Sequence, residues 1–157
     1  MNYWHMNLHP TGEQGTDDDI KKTVLSRTIG MGIWERAPGV IDPQIPDFKN
    51  RVQIGDIVAA LNGQNPIALV EVIGEWYEFY DEKSIIWFPL RRAVKILCIK
   101  GDCGYIDNLS QFPMRTKSLT ISSDKSTDTY KYIDAWYQHC KNKASQETHF
   151  NQGRRAD

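Results

Sequence analysis

The sequence predicts an α+β fold: a mostly antiparallel, curled sheet with helices packed on its outside. Three observations predict it. From Val52 to Trp76 two apolar, β-branched runs flank Asn62-Gly63, a dipeptide suited to a type I′ hairpin turn. Helix signals stand near both ends, at Thr16-Asp17-Asp18-Asp19 and at Ser126-Thr127. The elements between them read in the order β-α-β-(loop)-β-β-β-β-α.

The chain opens with a strand over Asn2 to Leu8, closed by His9-Pro10-Thr11-Gly12. Thr16 then caps a helix with Asp19 three residues on, and the acidic run suits the positive end of the helix dipole. Ile20, Val24 and Leu25 give its buried side, and the helix ends near Arg27. Metal binding by the three aspartates, with His5 or His9 added, is the alternative to the cap. Thr28 to Trp34 reads as a strand whose Gly30 and Gly32 mark a bulge or a close approach by something else. Glu35 to Asp47, with three prolines, reads as a loop, and Phe48 as a core plug on a helical turn.

The central hairpin runs through Val52, Ile54 and Ile57–Leu61, then Ile67–Val70, Val72 and Ile73. Gly74 breaks it before Trp76. Trp76, Tyr77, Phe79 and Tyr80 are too aromatic for an ordinary loop and sit in a stretch too polar for a core strand. Ile85 to Ile99 carries two strand-like runs around Pro89-Leu90-Arg91-Arg92, with Trp87 inside the first and read as core. Asp102 to Ser118 reads as irregular and Leu119-Thr120-Ile121 as a short strand. A last helix to about Lys141 shows Tyr130, Ile133, Trp136 or Tyr137, and Cys140 on one face, which makes Trp136 core.

The chain has 157 residues, 40% hydrophobic and 25% charged, with a net charge of −1, so one domain with a real core is expected. Residues 1–141 form that domain and the polar stretch 142–157 a frayed tail or linker. The balance of charge excludes a strongly basic nucleic-acid binder but not a local basic face. Cys98, Cys103 and Cys140 have no CxxC spacing and read as free thiols in a reducing compartment. No segment has the pattern of a signal peptide, and no apolar run approaches the roughly 20 residues that span a bilayer, so a cytoplasmic protein is expected.

The sequence contains no GxSxG, HExxH, Walker A or paired CxxC. The acid-x-Lys of metal-dependent nucleases is missing after Glu71, and Asp81-Glu82-Lys83 has that form only in a loop. Gly55-Asp56 most simply makes a turn or bulge into the strand. His5, His9, His139 and His149 are scattered. A non-enzymatic domain without metal or cofactor is the expectation. Arg91, Arg92 and Lys95 cluster, with Lys49 and Arg51 as an extension, either as a solvated face or as contacts to phosphate.

The chain resembles the EVE and YTH domains of the PUA-like superfamily over Asn2 to about Lys141. The resemblance rests on four features in order: the opening YWHMN strand ending at Asn7, the Ile33-Trp34 pair after the first helix, the IGDIV segment leading into a hairpin that ends at Trp76, and Ile86-Trp87-Phe88 followed by PLRRAVKI. It implies a PUA-like curled barrel that reads a modified base, swung out of its strand into an aromatic cage. Trp34 and Trp76 are then the cage walls, with Asn7 on the base edge and Tyr77, Phe79 or Tyr80 as a third wall. The second Trp that YTH readers often carry soon after the position of Trp76 is missing.

Relatives of this kind include the DNA-reading domains of McrB-type modification-dependent restriction systems. The implied partner is duplex DNA carrying a methylated base, with a GTPase or ATPase motor and a nuclease as further components and no membrane. Methylated RNA is the alternative target. A small-molecule or protein-interaction module using the same pocket is a second alternative.

Overall fold

A computed structural model describes residues 1–8, 15–81, 86–113 and 117–155, with side chains as far as 147. It is α+β, built on a strongly curled, mostly antiparallel sheet with the form of a half-barrel, and on four helices. The strands are β1 (Tyr3–Asn7), β2 (Thr28–Met31), β5 (Ile57–Asn62), β6 (Asn65–Val72), β7 (Tyr77–Glu78), β8 (Leu90–Ile99) and β9 (Leu119–Ser122). Their order is β2-β8-β6-β5-β1-β9, and β7 pairs with the start of β8. A separate hairpin joins β3 (Glu35–Ala37) to β4 (Val40–Ile41). The helices are α1 (Asp17–Leu25), α2 (Gln44–Pro46, continued by a wide turn over Asp47–Arg51), α3 (Gly104–Asp107) and α4 (Asp128–Arg155).

Both faces of the sheet are covered, which is why its strands read as continuous apolar runs. Trp4, Met6, Val58, Ala60, Val70 and Val72 point into the concave side, where Ile20, Val24 and Phe48 fill the curl. Tyr3, Ile57, Ala59, Leu61, Leu69 and Cys98 point the other way, onto Ile133 and Trp136 of α4. The alternation is the period of two that pleating imposes. One pairing departs from the antiparallel pattern: β1 lies parallel to β5, Tyr3 opposite Ile57 and Asn7 opposite Leu61.

Several expectations hold. Thr16 caps α1 through a reciprocal box with Asp19, Phe48 is a fully buried plug on a helical turn, and Trp136 is core. Leu25 is exposed, leaving Ile20, Thr23 and Val24 as the buried face of α1. The hairpin turn falls one residue later than the Asn-Gly signal, on Gly63-Gln64, with Asn62 opposite Asn65. Gly63 alone has positive φ there (61°), the pattern of a turn with glycine in the first central position. Asn62 instead spends its amide on Asp17 Oδ1 (2.7 Å) and the Gly15 carbonyl (3.2 Å).

Other expectations are corrected. The strand after α1 stops at Met31, because Leu90 opposite it is the first residue of β8, so Ile33 and Trp34 lie beyond the ladder. Val52 and Ile54 precede their strand. The proline-rich loop folds part of itself into the β3–β4 hairpin and α2. Ile86-Trp87-Phe88 is not a strand, while Leu90–Ile99 is one long strand and not two. The last helix continues past Lys141 to Arg155, its residues 141–147 exposed as their polarity requires. His9, Pro10, Thr11, Gly12, Glu82, Lys83 and Ile85 lie outside the described residues.

The cysteines are also corrected. Cys98 and Cys103 form a disulfide, Cα atoms 5.7 Å apart, and Cys140 is the free thiol. Gly101 at φ 95° turns the chain back within the five-residue separation, which a search for CxxC does not register. Among the described residues no helix is long and apolar enough to cross a membrane.

Two buried charges fasten the frame. The Asp56 carboxylate accepts from the Asn2 backbone N–H (2.9 Å), the Trp4 indole N–H (3.0 Å) and the Gln53 N–H (2.9 Å), joining the starts of β1 and β5. The Arg92 guanidinium, 1% exposed, donates to the carbonyls of Phe48, Lys49, Val52 and Gly74. Arg92→Lys keeps the charge but cannot serve four carbonyls from a single nitrogen, and Asp56→Ala strands a buried indole N–H. Each is expected to lower the unfolding free energy in urea by roughly 3 kcal/mol. Melting unchanged from wild type would refute the assignment.

Candidate functional site

Two groups of aromatic residues stand at the start of β8, one packed on the edge of the first core and one exposed. The first lies just beyond β2. Trp34 is half-buried, and its ring carbons sit 3.0 Å from where a Cβ on Gly32 would stand, with the Trp87 ring 3.5 Å from the same point. Trp87, half-buried and packed against the first core as expected in part, donates its indole N–H to the Leu8 carbonyl (3.2 Å) and meets Phe88 edge-on at 5.4 Å. Asn7 is the residue before Leu8. Its Oδ1 accepts the Gly63 N–H (2.8 Å), so that oxygen is committed to the hairpin turn.

Trp34 is oriented from below by Asp42. The Asp42 backbone N–H donates to the Trp34 carbonyl (3.4 Å), and the Asp42 carboxylate is held under α2 by the Gln44 N–H (2.9 Å) and side-chain amide (3.2 Å). Burial works against the charge on Asp42. The Gln44 N–H, the Trp34 indole, the Gln44 amide and the nearby Arg36 outweigh it and set the carboxyl below its ordinary range. This residue was missed in the sequence. Its signal was there: Asp42-Pro43 before Gln44 is a helix-start pattern inside a stretch that the prolines mark as loop.

The second group lies on β7 and the residues beside it. Trp76, Tyr77, Phe79 and Tyr80 are 38%, 43%, 52% and 78% exposed. Tyr77 stands opposite Arg91 and the Phe79 N–H donates to Pro89, so the strip runs along the first residues of β8. The Lys49 ammonium lies 4.5 Å from the Trp76 ring centre and 3.8 Å from Glu78 Oε1. The Arg91 guanidinium lies 5.1 Å from the Phe79 ring centre. Among the described residues no ring contact joins Trp34 to Trp76.

The basic cluster is largely structural. Arg92 is spent inside the fold. Arg91 is also buried and donates to the carbonyls of Phe88 (2.9 Å) and Ile86 (3.1 Å), which shapes the bend before β8. Neither is available to a phosphate. As consecutive residues of β8 they project to opposite faces, and each is buried by the carbonyls it serves: Phe88 and Ile86 for Arg91, and Phe48, Lys49, Val52 and Gly74 for Arg92. Lys95 is exposed opposite Glu71, and Arg51 pairs with Asp47 at 3.4 Å. Lys49, Arg51 and Lys95 are what remains of the predicted backbone contacts.

The aspartates at α1 are a cap and an ion pair. Asp17 Oδ2 takes a 2.7 Å bond from Lys100 Nζ, and this, with the Asn62 amide, holds its carboxyl below the ordinary value against the effect of burial. Among the described residues no cluster of three or more His, Cys, Asp or Glu is arranged to hold a metal ion. No protein-family model and no curated protein matches the chain.

Gly30 admits the protein's own ring. A Cβ there would run into the Leu90 carbonyl and the Phe88 side chain. Gly30→Ala is therefore expected to cost roughly 2 kcal/mol in denaturant melts, a packing effect and not a ligand effect. Acid titration tests the Asp17 pair. Its folded pKa lies below the unfolded value of 3.8, so its contribution is present above that value and is lost as pH falls through the folded pKa. Thermal melts of Lys100→Met should show a shallower acid-side decline than wild type.

Proposed function

We propose that the chain is a non-catalytic reader of nucleic acid that takes up an extruded, methylated base, with duplex DNA as its partner and a PUA-like, EVE/YTH-like architecture. In this reading it is the specificity part of a modification-dependent restriction system. The observation that carries the reading is the exposed strip Trp76–Tyr77–Phe79–Tyr80, next to a half-barrel whose mouth holds the oriented Trp34. Four partly exposed aromatic rings forgo a fraction of the roughly 1.5–3 kcal/mol that full burial of each is worth, most of all Tyr80, which favours a surface covered by flat partners. The curled sheet with an outside helix is compatible with the resemblance.

An extruded base loses stacking worth a few kcal/mol, and one or two aromatic faces restore roughly 1–3 kcal/mol each. A methyl group adds only about 0.8 kcal/mol when fully buried. Strong preference for the methylated base thus rests on leaving the bare amine unpaired. With its oxygen bound to Gly63, Asn7 has its amide N–H groups to offer a base edge, which suits an acceptor such as a ring nitrogen.

One observation favours methylated RNA, or another single strand, as a second reading. With Arg91 and Arg92 buried, few cations remain to grip a duplex, whereas an aromatic strip with scattered cations suits stacking on single-stranded bases. Competition between single-stranded RNA and duplex DNA carrying the same methylated base separates the two.

Fluorescence anisotropy with duplexes carrying unmodified, N-methylated adenine, and C- or N-methylated cytosine sites tests the main reading. A methyl-dependent gain that Trp34→Ala or Trp76→Ala abolishes, in folded protein, is expected. Binding indifferent to methylation would overturn it. With three cations in reach, the slope of log K against log salt should be no steeper than about −3, at about −0.9 per phosphate neutralised. Arg92→Lys tested at a temperature where it stays folded should leave that slope unchanged.

A further inference from the structure

The three cysteines converge on one place that the proposed reading does not use. Cys98 lies near the end of β8, and Cys103 directly precedes α3. The free Cys140 lies on α4, packed against the same apolar cluster that holds the disulfide. All three line one cavity of about 220 Å³ between β8 and α4, together with Asp102, His139 and Lys143. His139, next to Cys140 in the chain, stacks flat on Tyr105 of α3 with ring centres 4.3 Å apart. His139 lines the cavity, and its stack on Tyr105 holds α4 against α3 beside it.

We propose that Cys140 is the resolving thiol of the Cys98–Cys103 disulfide, so that exchange inside this cavity moves the crosslink from the β8–α3 turn onto α4. Cys140 loses its proton to water or a solvent base. Its thiolate sulfur bonds to one sulfur of the pair, the Cys98–Cys103 bond breaks, and the electron pair leaves on the other cysteine, which takes up a proton. One disulfide and one thiol exist before and after, so no oxidant or reductant is consumed.

The geometry gives each element a part. Cys98 is held by the ladder opposite Leu69, whereas Cys103 sits on the short segment between a turn and α3. Moving the link to α4 frees the turn that carries Lys100, the partner of Asp17, and ties down the helix whose following turns are exposed. Burial pushes the Cys140 thiol up, and Lys143, one turn further along α4, pulls it back. His139 and Glu147 on α4, Asp102 on the turn and Tyr105 on α3 are the other ionisable groups about the cavity. Because the thiolate is the attacking species, a raised thiol pKa keeps the exchange slow near neutrality and lets it speed up as the pH rises.

Peptide mapping of the full chain tests this. Protein purified in air is held at mildly alkaline pH under native conditions, blocked with N-ethylmaleimide in acid, digested and analysed by mass spectrometry without reduction. A Cys140 peptide linked to Cys98 or Cys103 is expected, growing with pH. Cys140→Ser should lack it and keep only the Cys98–Cys103 link. Complete alkylation of Cys140 beside an intact Cys98–Cys103 bond would overturn the proposal. So would a Cys140 link that forms only in urea, or native protein in which all three thiols alkylate.

Discussion

The Arg92 guanidinium is the interaction on which most of the rest depends. It sits where the wide turn after α2, the residues after β6 and the first half of β8 meet, and it donates to four carbonyls there. Each of those carbonyls belongs to a segment that must leave regular structure so that the sheet can curl. Burial pulls the pKa of Arg92 down, and the charges of Glu75 and Asp56 push it back up. A planar group with five donors is what such a junction needs, because its bonds are spread over directions that a lysine cannot reach. Asp56 works from the other side. It accepts three donors from the start of β1 and the approach to β5, and so fixes the single parallel pairing in the sheet.

That frame decides where aromatic residues end up. Both sheet faces are occupied, by α1 and Phe48 on the concave side and by α4 on the other, so the strands have no free face to offer a ligand. What remains is the rim where β8 extends beyond β6. There β2 stops at Met31 and β7 is only two residues long, so chain leaves the ladder on both sides of β8 and carries rings with it. Trp34 and Trp87 go one way and Trp76 to Tyr80 the other. The mouth of the half-barrel is aromatic because the ladder ends there, not because one motif places a cage.

Much of the fold was legible in the sequence, since it rests on local patterns. The Thr16 cap, the β5–β6 hairpin, the apolar face of α4 and the plug Phe48 each follow from spacing and residue type. The site was less legible, for definite reasons. Gly30 and Gly32 correctly marked a close approach, but sequence cannot say whether the approaching group is a ligand or a ring of the chain itself: Phe88 arrives at Gly30, and Trp34 with Trp87 at Gly32. Arg91 and Arg92 carry the chemistry of phosphate contacts and of buried carbonyl clamps equally well. Only the tertiary placement of the carbonyls of Ile86 and Phe88, and of Phe48, Lys49, Val52 and Gly74, against them separates the two. The disulfide hid for a similar reason: a glycine turn brings together cysteines whose spacing matches no familiar motif.

The burial of both arginines also changes what kind of binding the aromatic rim would support. A reader that draws its affinity from phosphate contacts binds many sequences and loses affinity steeply with salt. Here the charge nearest the rim is divided: Lys49 lies over Trp76 but is shared with Glu78, and Lys95 faces Glu71. Cations engaged in this way add little net attraction to a polyanion, since acidic neighbours repel the same phosphates. Stacking therefore has to supply a larger share of the affinity, and stacking is short-ranged and demands an exposed ring on the partner. A base still paired within a duplex presents no face to Trp34 or Trp76. Under the proposed reading such a rim would favour bases that are easily unstacked, through a modification that weakens pairing or a single-stranded context, and discrimination would begin with the cost of opening the base before any edge is read.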